Sequence, residues 1–195
     1  MRFNDAAALL VAALLTACAY GPSANQVTPP PARLDTGVAL LHAGQVVDSI
    51  PCLTDELPIN HIHIHLLVLL NGAGVAVPAG IGIGRPWGVD PDGFISTGSC
   101  FAWIHTHDAT GIVHIFSPEG KTYMLAQLFS VWGHPFGTGG PFNFSGPVTV
   151  LVNGDRVAGD PGAIQLGNYF NVVVELGKPP AIPPAPNYNF SSTRR

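Results

Sequence analysis

His61-Ile62-His63-Ile64-His65-Leu66-Leu67-Val68-Leu69-Leu70-Asn71-Gly72 is the stretch on which the fold turns. Side chains alternate between the two faces of a strand, so His61, His63 and His65 share one face and Ile62, Ile64 and Leu66 the other. Such a strand buries its apolar side and carries imidazoles on the opposite one. Asn71-Gly72 then supplies two residues that tolerate positive φ, the strongest short signal for a tight hairpin turn.

On either side of this stretch and within it, β-rich runs alternate with turn residues at Val38–Leu41, Gln45–Ile50, His61–Leu70, Gly74–Val77, Phe94–Thr97, Phe101–His107, Ile112–Phe116, Thr122–Leu128, Val148–Val152 and Asn171–Leu176. Asn153-Gly154 repeats the turn signal. About ten short strands predict an all-β domain, an antiparallel β-sandwich or a partly closed barrel. Lys121–Ser130 alone fits neither period cleanly, which leaves a short helix as the alternative to a strand there. Charged residues make up only 10% of the 195 residues while Gly (23) and Pro (19) abound, which favours turn-linked strands over long surface helices. With a net charge of −4 and no basic cluster beyond Arg194-Arg195, the chain lacks the electrostatic footprint of a nucleic-acid binder.

Residues 1–18 read as a signal peptide. The apolar run Ala6–Leu15 is too short for a membrane span, which needs roughly 20 residues. Leu15-Thr16-Ala17-Cys18 resembles a bacterial lipobox, with Cys18 as the lipidated residue, so the expected location is the periplasm or cell envelope, anchored by lipid. Residues 19–35 form a Pro-rich tether, 36–178 a β-rich metal-binding domain, and 179–195 a Pro-rich tail. Cys52 and Cys100 remain, and an exported setting favours a disulfide between them, with a Cys metal ligand as the competing reading.

The second histidine segment is His105-Thr106-His107-Asp108, followed by Ala109-Thr110-Gly111-Ile112-Val113-His114. If Asp108–Gly111 form the loop of a hairpin, His105 lies opposite His114. With a type I turn and a glycine bulge, the register slips and His114 joins Thr106 on the other face. His61, His63, His65, His105 and His107, with His114 conditional on that register, therefore form a candidate site for Cu(II) or Zn(II), and two of the first three are expected to ligate. Asp108 is expected to ligate or to orient a ligand imidazole. His42 and His134 read as ordinary surface or core residues. Met124 is the only methionine after the leader, which argues against a Met-rich Cu(I) carrier.

These motifs in order, His61-x-His63-x-His65-Leu66, Asn71-Gly72, Pro78–Ile83, Cys100, His105–Asp108, Gly111–Ile115, Leu128-Phe129 and Trp132-Gly133, resemble a family of uncharacterised exported bacterial proteins over about residues 52 to 177. The resemblance implies an intact domain and a role for the histidines, and names no reaction. Where it implies an acidic residue after His114-Ile115, this chain has Phe116. The JAMM metalloprotease, metallo-β-lactamase and blue-copper patterns each lack required residues here. Gly80–Gly84 has no helix after it to bind phosphate.

The leading expectation is a metal-binding lipoprotein for capture, buffering or delivery. Its alternatives are a three-His zinc or copper metalloenzyme of hydrolase or lyase type, and an envelope structural or adhesion module without metal. The expected partners are the metal ion and, through the lipid anchor, the membrane.

Overall fold

The computed structural model describes residues 34, 36–56, 60–116, 118 and 121–193. In chain order it holds β1 (Val46–Val47), β2 (Ile50–Leu53), β3 (His61–Leu70), β4 (Ala73–Val75), β5 (Gly88–Val89), β6 (Ile95–Thr97), β7 (Phe101–Ala102), β8 (Ile104–His105), β9 (Ile112–Phe116), α1 (Leu125–Trp132), β10 (Val148–Val152), β11 (Asp155–Arg156) and β12 (Phe170–Leu176). The signal peptide, Cys18 and all of the tether except Leu34 lie outside the described residues.

The molecule is all-β and sandwich-like, and none of its sheets closes into a barrel among the described residues. The main sheet runs β11-β10-β12-β3-β9-β8, with β4 beside the far half of β3; β1-β2-β7 and β5-β6 form smaller sheets. β3 sits at the centre, flanked by β12 on one side and on the other by β9 against His61–His65 and β4 against Val68–Leu70. Its turn into β4 uses Asn71 and Gly72 at φ 50° and 82°, both left-handed as a two-residue hairpin requires. Asn153 and Gly154 do the same between β10 and β11.

One face of this sheet is core. Ile64, Leu66, Val68, Ile104, Val113, Ile115, Val172 and Val174 are buried there together with Leu125, Leu128, Phe129 and Trp132 of α1. The opposite face carries the histidines, and the Pro-rich tail runs along part of it, where Asn171 Nδ2 donates to the Ala185 carbonyl at 2.8 Å. The Cys52–Cys100 disulfide is formed and tethers β2 to the strand pair leading into His105.

Three expectations are corrected. The sheet is mixed, because β12 pairs with β3 in parallel; alternation marks faces and leaves partner direction open. Thr122–Leu128 is not a strand: the segment becomes helical from Leu125, begun by Met124 N–H donating to Gln127 Oε1 at 2.9 Å and ended by Gly133 in the left-handed region at φ 100°. Val38–Leu41 forms no strand, and Ala39 N–H instead donates to the Trp132 carbonyl at the end of α1.

Candidate metal centre

The hairpin register resolves in favour of the four-residue loop. His114 lies opposite His105 on β8 and opposite His63 on β3, so three histidines stand in a row across three adjacent strands. His61, two residues before His63, and His107, two residues after His105, flank that row and complete a contiguous group. Neighbouring ring centroids are 4.4 Å apart for His61 and His63, 4.6 Å for His63 and His114, 4.6 Å for His107 and His114, and 4.7 Å for His105 and His107. His63, His105, His107 and His114 are all buried.

The fold fixes the rings from behind. His105 Nδ1–H donates to the Ala102 carbonyl at 2.7 Å and His107 Nδ1–H to the Ile95 carbonyl at 2.6 Å. A carbonyl only accepts, so these bonds place the proton on Nδ1 and leave a lone pair on each Nε2. Those two Nε2 atoms face one another at 3.0 Å. Two lone pairs so placed need a positive centre between them. Burial, reinforced by the neighbouring His107, holds His105 well below the usual histidine range, and the converging pair could hold a metal ion. His114 is lowered for the same reasons, burial first and then His105 and His107. Aromatic rings hold the imidazole planes: Phe94 stacks on His107 at 4.4 Å and Phe116 on His61 at 4.1 Å. Phe116, at the position where the resemblance implies an acid, thus orients imidazoles instead of ligating.

The glycine-rich run after Pro78 is structural. Gly80 N–H donates to the Thr106 carbonyl, Thr106 N–H to the Ile81 carbonyl, and Ile81 N–H to Thr106 Oγ1. A backbone clasp therefore grips the residue between His105 and His107.

Two histidine triads offer one ring nitrogen each within 4.8 Å of one another, His61-His63-His114 and His105-His107-His114, and each could hold a metal ion. His65 belongs to neither. Its Nδ1 pairs with Asn171 Oδ1 at 2.8 Å, a backbone hydrogen bond at Thr110 engages it further, and Tyr188 stacks on its ring at 3.9 Å. Burial lowers its pKa against those two bonds. Asp108 does not orient a ligand imidazole; it accepts from the Thr110 N–H and hydroxyl and shapes the hairpin loop. Cys52 and Cys100, being bridged, do not ligate. His42 and His134 stand outside both triads.

Glu56 is the residue that sequence reasoning missed. Its Oε1 lies 3.6 Å from His107 Nε2 and 3.8 Å from His105 Nε2, a carboxylate beside the two converging lone pairs. It stands four residues beyond Cys52, just past the end of β2. A cavity of about 280 Å³ opens onto His114 between Asp92, Asp108, Tyr188 and Thr193. No family model, curated protein or solved structure matches this chain.

Proposed function

We propose that the chain is an exported, lipid-anchored protein, kin to the bacterial family it resembles, that binds copper(II) or zinc through its histidine face for capture, buffering or delivery. The observation that carries this reading is the pair of Nε2 atoms of His105 and His107, held 3.0 Å apart by Nδ1–H bonds to backbone carbonyls. Tetrahedral zinc with bonds of about 2.0–2.1 Å sets its nitrogens roughly 3.3 Å apart, so little movement is needed to seat an ion. Export is supported by the Cys52–Cys100 bridge, since disulfides persist in oxidising compartments. The test is metal analysis of untagged protein recovered from the envelope fraction, with Cys18→Ala as the anchoring control. Near-stoichiometric copper or zinc that survives a mild chelator is expected, together with release of the Cys18→Ala protein from membranes. Metal-free protein sinks the binding reading, and unchanged membrane association of the variant sinks the anchor.

Glu56 favours a second reading. A carboxylate beside a histidine-bound ion, with a cavity opening onto His114 of the same cluster, is what a metal-dependent hydrolase needs to take a proton from bound water. A coordination shell that includes Glu56 and no water decides for storage or transport, and an exchangeable bound water decides for catalysis.

A further inference from the structure

We propose that the histidine face holds two metal ions bridged by His114, one bound by His61, His63 and His114 and the other by His105, His107 and the second ring nitrogen of His114. This deepens the metal-binding reading and rests on it. Donor nitrogens around one ion at about 2.0–2.1 Å lie no more than about 4.2 Å apart. The five imidazoles do not close into one set even at 4.8 Å; their nitrogens come together within that distance as two triads whose single common member is His114, a small inward shift short of bonding distance. That residue is also the geometric centre. It lies on β9 between the two histidine-bearing neighbours, opposite His63 on one side and His105 on the other. Its Nδ1 is 3.0 Å from His61 Nε2, so that edge of the ring serves the first triad and Nε2 remains for the second.

An imidazole binding through both nitrogens must lose its ring proton, so the second ion displaces one proton from His114 to solvent and the ring becomes an imidazolate. The bridged ions would stand on the order of 6 Å apart, two metal–nitrogen bonds plus the width of the ring. Neutral imidazole ligands suit copper(II) and zinc alike, and the two ends differ in carboxylate supply, because Glu56 lies at the His105-His107 end. The first zinc to bind is therefore expected there, leaving the His61-His63 end for copper.

Copper(II) titration of the full-length chain tests this by elemental analysis and low-temperature electron paramagnetic resonance. Two copper ions per chain are expected, with a spin count well below the copper count because the bridge couples them. One copper with one zinc should restore a full, uncoupled copper signal. His61→Ala should keep one uncoupled copper, and His114→Gln should abolish the coupling. Two ions with full spin intensity in the wild-type chain would remove the bridge. Saturation at one ion would overturn the two-ion site and leave metal binding standing, whereas no bound ion would bring down both. The wild-type spin count decides the matter even if a variant fails to fold.

Discussion

An imidazole has two nitrogens, and what a histidine can do depends on which of them the fold consumes. His105 and His107 spend Nδ1 on backbone carbonyls and keep Nε2 for a ligand. His65 spends itself on Asn171 and Thr110 and is a structural residue with the same periodicity. Alternation in the sequence therefore placed all of these rings on faces, and only the contacts behind them separate ligand from prop. Glu56 shows the same limit from the other side. It reaches the site because β2 pairs with β7, a long-range pairing that no local pattern announces. Glu56→Gln keeps the shape and removes the charge of a solvent-accessible side chain, so the fold should melt as before while metal affinity falls by about 10- to 100-fold. Calorimetric titration checks it; unchanged affinity would remove Glu56 from the site.

At the level of elements, the site is a strand-register problem. His63, His114 and His105 align only because β9 pairs with both β3 and β8 in the register of the four-residue loop. The sequence left two registers open, since Asp108 and Gly111 suit either turn, and burial of Val113 and Ile115 on the core face selects one of them. The helix was legible in a wider window than Lys121–Ser130: Leu125, Leu128, Phe129 and Trp132 follow helical spacing, and Gly133 terminates it. The clasp extends to Gly82, whose carbonyl accepts from the Ala102 N–H, and the packing there shows how tightly β8 is held. Gly82 has φ 72°, and a Cβ there would meet the Ile104 carbonyl oxygen at 2.3 Å. Gly82→Ala combines backbone strain with overpacking and should cost roughly 2 to 5 kcal/mol. Because the displaced backbone leads directly into His105, metal binding should weaken as well; a denaturant midpoint equal to wild type would sink the clasp.

Taken as a whole molecule, the chain buries imidazoles on a sheet face where apolar side chains would cost less, and acid exposes that cost. His105 and His114 are held below the usual histidine value chiefly by burial, so they stay neutral in the fold while the unfolded chain protonates them near pH 6.5. Below that pH the unfolded state binds more protons than the native state, and stability must fall as pH falls; above it, their contribution is fully present. The slope approaches about 1.4 kcal/mol per pH unit for each such histidine once the pH is well under 6.5. Protons also compete with metal for the same nitrogens, so the stabilisation a bound ion confers should vanish over the same interval. Thermal melts of metal-free and metal-loaded protein, from about pH 8 to about pH 5, should start apart and converge as both decline. A metal-free melting temperature that ignores pH across this range would mean that the buried rings titrate freely. The histidine face would then lack the enclosed environment that makes its converging nitrogens a metal site instead of a polar strip.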